Sequence, residues 1–390
     1  MSEVKVVVQE ELFERHQTDV DDREIEFETV DYTEESQELE QIPKEVRNLR
    51  IQSYDKGVED LVKMIERGDV ILNPEYQRNY VWDNKKASLL IESILLNIPI
   101  PVIYASEEED IKWNIVDGLQ RLYSLLRYYK NSFKLSGLSI LSELNGKRYS
   151  ELPDKARRLL NNGNLRVILI FNDSHPEIKY DIFQRLNTGS VKLNEQELRN
   201  CIYRGTLNNS LKEMVKNKRF QSILGLNAPH KRMLDCEMIL RYLALRNNYD
   251  NETYEISNYK GVMKPFLNAY MYNNKNLAEP KIRAIEHGFS ELVNSVYGVF
   301  GEGAFRKLNL ETRKVENRLN KSLMDVIMLS FSQYTTQDIL SKKDEILDLF
   351  LRMLNNDEFI TSISTATSDT KALHTRLSLW GSNFESLMEG

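Results

Sequence analysis

Residues Asp117-Gly118-Leu119-Gln120-Arg121 form a short run dense in chemistry. They follow a β-type stretch at 112–116 and open a helical pattern whose apolar face is Leu122, Leu125, Leu126 and Tyr129. A helix N-terminus presents unpaired amides and partial positive charge, which suits an anion. Gly118 lets the backbone approach a ligand closely. Arg121 offers a planar fork matched to phosphate oxygens. Asp117 has the chemistry to hold Mg2+ or to orient an attacking water, and Gln120 to position that water. The same residues also read as purely structural, with Asp117 an N-cap, Gly118 a tight turn and Arg121 a surface side chain. Local sequence leaves both readings open.

Two other segments are polar where their surroundings are not. Tyr76-Gln77-Arg78 lies between two helical patterns, with Tyr80 and Trp82 close behind. Such a loop can line a phosphate or base site, its aromatics stacking on a nucleobase; it can equally be a structural loop whose aromatics, Trp82 first, plug the core. Phe183-Gln184-Arg185-Leu186-Asn187-Thr188-Gly189 places Arg185 at a helix end before an Asn-Thr-Gly turn, and helix capping accounts for Arg185 and Gly189 without a ligand. No Gly-Lys-Ser/Thr phosphate loop occurs, which excludes a P-loop NTPase. His16, His175, His230, His287 and His374 are too far apart to form a helical metal pair, and Cys201 and Cys236 cannot supply a four-thiolate zinc site. His374 reads as a helix-surface residue.

The elements that must carry these residues follow from periodicity. Val58, Leu61, Val62 and Ile65 recur at helical spacing, with Gly68 where a C-terminal cap belongs. Asp83 reads as the N-cap of a helix whose inner face is Ala87, Leu90, Ile91, Ile94, Leu95 and Ile98, stopped by Pro99 and Pro101. Residues 101–105 and 112–116 read as strands joined by an acidic hairpin loop at 106–110. Residues 165–171 make the best strand of the chain. From Pro176 onward the pattern is almost wholly helical, with a capping box at Asn194 and Glu197 and a core helix over 231–247. The reading is an α+β part to about residue 190, then a helical part.

Composition bounds the function. The chain has 390 residues, 41% hydrophobic and 28% charged, with a formal charge of −7; this suits two or three globular domains. Two cysteines exclude a disulfide scaffold and favour a reducing compartment. The most apolar stretch, 88–104, is broken by Glu92, Ser93 and Asn97, so no membrane span is expected, and the acidic N-terminus does not read as a secretory signal. Cytoplasmic residence is the expectation. Residues 1–45 carry 16 acidic and 4 basic side chains, net −12, which leaves +5 on residues 46–390. Such an arm reads as a solvated, flexible tail or as a shield over a basic groove, and Val4-Lys5-Val6-Val7-Val8 within it has strand character. A net charge of −7 argues against a broad DNA-coating surface and leaves room for a local groove.

Six motifs stand in order: Asn73-Pro74-Glu75-Tyr76-Gln77-Arg78; Leu90-Ile91-Glu92-Ser93-Ile94-Leu95; Ile98-Pro99-Ile100-Pro101; Val116-Asp117-Gly118-Leu119-Gln120-Arg121-Leu122; Phe183-Gln184-Arg185-Leu186-Asn187-Thr188-Gly189; and Leu193-Asn194-Glu195-Gln196-Glu197-Leu198-Arg199-Asn200. Over residues 50–205 this order resembles the N-terminal domain family of GmrSD-type restriction endonucleases, related to ParB and sulfiredoxin-like domains. The resemblance implies a ParB/sulfiredoxin-like small mixed sheet with helices at 46–190, followed by an all-helical domain at 191–390. It also implies a nucleotide-binding core in a prokaryotic restriction or anti-phage setting. The family's Asp-Gly-Gln-Gln-Arg motif, associated with NTP binding and hydrolysis, falls on residues 117–121, with Leu119 replacing the first Gln. If that position contacts nucleotide, hydrolysis is weakened; if it faces the core beside Leu122, Leu is harmless.

On this reading Asp117, Gln120 and Arg121 are catalytic, with Mg2+ as the metal at Asp117. Tyr76, Gln77, Arg78, Gly118, Arg185, Asn187 and Thr188 complete the nucleotide pocket. Family members often append an HNH nuclease, whose chemistry needs clustered His and Asn. Residues 206–390 hold only His230, His287 and His374, so no HNH domain is expected. DNA at a local groove and a nuclease or methyltransferase subunit are the expected partners. The alternatives are a non-catalytic nucleotide or DNA sensor that recruits a nuclease, and a ParB-like DNA nickase.

Overall fold

The computed structural model describes residues 49–72, 80, 82–186, 193–309 and 314–390. Its described residues fall into two compact units, divided between Ile202 and Tyr203.

The first unit is built on a five-stranded mixed sheet. Its strands are β1 (Ile51–Gly57), β2 (Val70–Ile71), β3 (Ile103–Glu107), β4 (Trp113–Asp117) and β5 (Asn164–Ile170), in the spatial order β1-β5-β3-β4-β2. β5, rich in Leu, Val and Ile, sits between β1 (antiparallel, Ile51 opposite Ile170) and β3 (parallel, Ile103 opposite Val167). β3 and β4 form the expected antiparallel hairpin, with a register shift between Tyr104 and Ala105. β2 then lies parallel to β4, Val70 opposite Trp113 and Ile71 opposite Asn114.

Helices cover the sheet where their apolar periodicity requires it. α1 (Val58–Arg67) buries Val58, Leu61 and Val62, and Gly68 caps it in the left-handed region at φ 81°. In α2 (Asn84–Leu95) the Asp83 carboxylate accepts from the Lys86 amide at 2.7 Å, as an N-cap should. Glu92 of α2 is buried yet satisfied, because its Oε1 accepts from the amides of Ile140 and Leu141 at 3.0 and 2.8 Å. α3 (Leu119–Tyr129) and α4 (Asp154–Asn161) complete the core with Leu122, Leu125, Leu126 and Leu160. α5 (Pro176–Leu186) and α6 (Glu195–Ile202) follow. Asn194 and Glu197 form the expected capping box at the start of α6. The carbonyl of Cys201 in α6 accepts from Asn114 Nδ2 of β4 at 2.5 Å.

The second unit is helical: α7 (Thr206–Met214), α8 (Lys218–Leu224), α9 (Leu234–Asn248), α10 (Met263–Asn274), α11 (Glu279–Phe300), α12 (Lys321–Phe331), α13 (Thr336–Ser341), α14 (Lys343–Leu354), α15 (Asp357–Ser364) and α16 (Thr370–Glu389). A two-residue antiparallel ribbon, Leu308–Asn309 with Lys314–Val315, interrupts the helices. α9 and α12 are apolar on nearly all sides and are buried accordingly. Trp380 of α16 is buried against Phe350, Phe359 and Phe384, and its indole N–H donates to Ser330 Oγ at 2.9 Å.

Three of the charges buried in that unit form one cluster. Asp325 of α12 receives Arg241 of α9 through two bonds of 2.7 Å and Arg376 of α16 at 2.9 Å. Burial works against the charge on Arg241, but the Asp325 carboxylate overrides it and raises the pKa. For Arg376 burial wins and the pKa falls, since it shares the same carboxylate with a second cation. Arg376 adds bonds to the carbonyls of Ser362 and Thr367, so one guanidinium holds three segments.

Candidate functional site

The strand–helix turn at residues 117–121 is shaped from both sides. Trp113, Asn114, Ile115 and Val116 are buried, so β4 is fixed in the sheet up to Asp117. Gly118 then turns the chain at φ 97°, ψ 7°. An added Cβ there would lie 2.8 Å from Ile103 Cγ1 and 3.2 Å from its Cγ2, so β3 leaves no room for a side chain. Gly118 is also the N-cap of α3 and has no side chain to occupy the helix amides. Its carbonyl accepts the first intrahelical bond, from Leu122 at 3.0 Å.

Arg121 points back into this turn. Its Nη2 donates to Asp117 Oδ2 at 2.7 Å and to the Val102 carbonyl at 3.3 Å, and its Nη1 donates to the Pro101 carbonyl. The side chain is 11% exposed against 34% for Asp117. Burial lowers the arginine's pKa and the neighbouring carboxylate opposes that. The guanidinium therefore ties the end of β4, the start of α3 and the approach to β3 into one unit, and fixes the Asp117 carboxylate at the rim. Leu119 packs against the hydrophobic core, so the position that departs from the Asp-Gly-Gln-Gln-Arg pattern faces inward.

Tyr76, Gln77 and Arg78 lie outside the described residues, but both flanks of that segment are placed. Leu72 follows β2, which runs parallel to β4 and so heads the same way as the strand that ends in Asp117. Tyr80 returns onto α3, its ring 5.1 Å from Tyr123 and its hydroxyl 2.8 Å from Ser124 Oγ. Ser124 donates its own proton to the Gln120 carbonyl at 2.7 Å, so Tyr80 is the donor in the pair. Arg127 lies over the Tyr80 ring at 4.8 Å. Trp82 is half-buried against the core, with the Lys86 ammonium 5.0 Å from its ring centre.

Arg185 sits near the end of α5, 63% exposed, with its Nε 2.9 Å from Asp181 one turn back. Asn187 and Thr188 lie outside the described residues. Of the three arginines singled out from sequence, Arg121 is in the turn, Arg185 is engaged by its own helix, and Arg78 is outside the described residues. Sequence reasoning missed Tyr80 and Ser124 as the link between the polar segment and α3. The tyrosine–serine spacing of 44 residues carried no signal for it.

Among the described residues no three His, Cys, Asp or Glu side chains are grouped as a metal site. Asp117 has the donor chemistry for a hard cation whose remaining ligands are phosphate oxygens and water. A separate open depression in the helical unit is lined by Asn247, Asn248, Asp250 and Glu252, and there Asp250 Oδ1 already accepts from the amides of Glu252 and Thr253. His374 is exposed on α16, as expected.

Comparison with known proteins bears on the segment that contains this turn. Residues 58–204 match the GmrSD restriction endonuclease N-terminal domain family. The matched segment runs from α1 through α6 and contains the strand–helix turn and both flanking polar segments. No curated protein and no solved structure matches the chain. No described helix is long and apolar enough to cross a membrane.

Proposed function

We propose that the chain is the NTP-binding and NTP-hydrolysing component of a prokaryotic DNA restriction system, working in the cytoplasm with a partner nuclease or methyltransferase. The observation that carries this reading is the glycine-capped start of α3, whose amides meet no capping side chain beside a carboxylate held at the rim. A polyphosphate laid over those amides gains their partial positive charge. Asp117 then faces the phosphates, where it orients the attacking water and holds Mg2+, and Gln120 lines the water's approach. The water oxygen bonds to the γ-phosphorus as the bond to the β-phosphate oxygen breaks; the water's proton passes to solvent, and inorganic phosphate and the nucleoside diphosphate leave. Mg2+, which Asp117 would hold, would neutralise charge on the phosphate oxygens. Arg121 acts by fixing Asp117; Tyr76, Gln77, Arg78, Arg185, Asn187 and Thr188 are assigned to the rest of the pocket.

Asp117→Asn tests the assignment in the full chain. Binding of a fluorescent NTP should stay within a few-fold of the parent, while phosphate release falls about 10²–10⁴-fold. Release at the parental rate would overturn it. The burial of Arg121, with its bonds spent on its own chain, favours a second reading in which the site senses nucleotide without turnover. NTP binding by the parent with no phosphate release, with or without DNA, would select that reading.

A further inference from the structure

The positive charge of residues 46–390 is concentrated in one place. Residues 204–232 hold seven Lys/Arg and a single acidic residue, Glu213, net +6. Since residues 46–390 total +5, the rest of them sum to −1. In the helical unit this segment is α7, a three-residue turn, α8 and the loop that leads to α9. Lys216, Lys218, Arg219, Lys231 and Arg232 are all exposed there.

The side chains at the turn are arranged with little acid beneath them. Lys218 donates to Gln221 Oε1 at 3.1 Å, and Arg219 to Asn294 Oδ1 at 2.5 Å while lying 5.9 Å from the Tyr297 ring centre. These partners orient the two cations and leave their charge uncancelled. Lys216 pairs with Glu213 at 2.7 Å, and Glu291 on α11 touches Asn294 at 3.5 Å rather than either cation. Asn217 and Ser290, 3.5 Å apart, add neutral polar groups between α8 and α11. Lys and Arg interleaved with Asn and Ser is the chemistry that contacts nucleic-acid backbones.

We infer that the α7–α8 turn is a docking surface for the phosphate backbone of duplex DNA. It belongs to the helical unit, whereas the Asp117 turn belongs to the sheet unit. It rests on the restriction reading only for the choice of duplex DNA as the polyanion. Its contacts go to phosphates, so it positions the duplex and does not read sequence.

The test is fluorescence anisotropy of the full-length protein with a labelled duplex of about 24 base pairs, long enough to cover such a face, titrated between about 50 and 200 mM salt, the range over which phosphate contacts are lost. Reversing Lys216, Lys218 and Arg219 to Glu should weaken binding at least tenfold at low salt. Replacing them with Ala should flatten the log–log salt slope by about 3, near 0.9 per lost phosphate contact. Lys260→Glu with Lys371→Glu, exposed cations elsewhere on the helical unit, should leave affinity within twofold. The inference is overturned if the parent does not bind the duplex at low salt. Parental affinity and slope in both triple variants, or an equal loss in the Lys260/Lys371 control, would overturn it too. Phosphate release without DNA reads only the Asp117 site, so failure of the nucleotide reading and failure of this one are separately visible.

Discussion

At residue 118 a methyl group would have to sit 2.8 Å from Ile103 Cγ1 on a backbone held at φ 97°. Left-handed backbone costs an L-residue about 1–2 kcal/mol, and overpacking about 1–3 more. Gly118→Ala is expected to lower stability by roughly 2–5 kcal/mol in urea denaturation and to weaken NTP binding with it. Part of this site was readable in advance. A glycine between a buried strand and an amphipathic helix announces a tight turn, and the i, i+3 relation of Leu119 to Leu122 contains the inward orientation found for Leu119. The inward turn of Arg121 was not readable. Its acceptors include backbone carbonyls of Pro101 and Val102, some twenty positions earlier, and a carbonyl has no signature in a side-chain sequence.

Among elements, most of those with local signals were found where expected, but α2 stops at Leu95, so Ile98, expected on its inner face, is exposed. α1 shows its apolar stripe and Gly68, α2 its Asp83 cap, and β5 a β-branched and Leu run over 167–170. β1 escaped because Ile51–Gly57 exposes most of its residues and pairs with a partner more than a hundred positions away. The Asp325 cluster escaped likewise, since Arg241, Asp325 and Arg376 lie on three helices distant in sequence. Removing the shared carboxylate strands two buried guanidinium groups, so Asp325→Ala should cost about 3–5 kcal/mol. Replacing all three together with Met, Leu and Met should be neutral or stabilising by about 1–4 kcal/mol, because the desolvation penalty vanishes with the charges. Urea midpoints of the two variants decide whether the cluster's pairing or its polarity matters.

Over the whole molecule, charge is sorted along the chain: −12 on residues 1–45, +6 on 204–232, and −1 on all that remains. The acidic arm lies outside the described residues; the idea to test is that its tethered charge shields a cationic face from DNA. Deleting residues 1–45 should tighten duplex binding at low salt, with the gain shrinking as salt screens it. Equal affinity of truncated and full-length protein would remove the shielding idea. The order of the sheet has a consequence of its own for how the chain is made. Of the described strands of this sheet, β1 is the first to leave a ribosome, yet the strand beside it is β5, the last of the five. Residues 51–57 therefore wait, unpaired, while more than a hundred residues are translated, and the domain can close only after Ile170 has cleared the exit tunnel. Long-range pairing of this kind slows folding and prolongs the time a bare strand edge is on offer to neighbouring chains. Lys56 and Asp55, set in that edge, are the charges that guard it meanwhile.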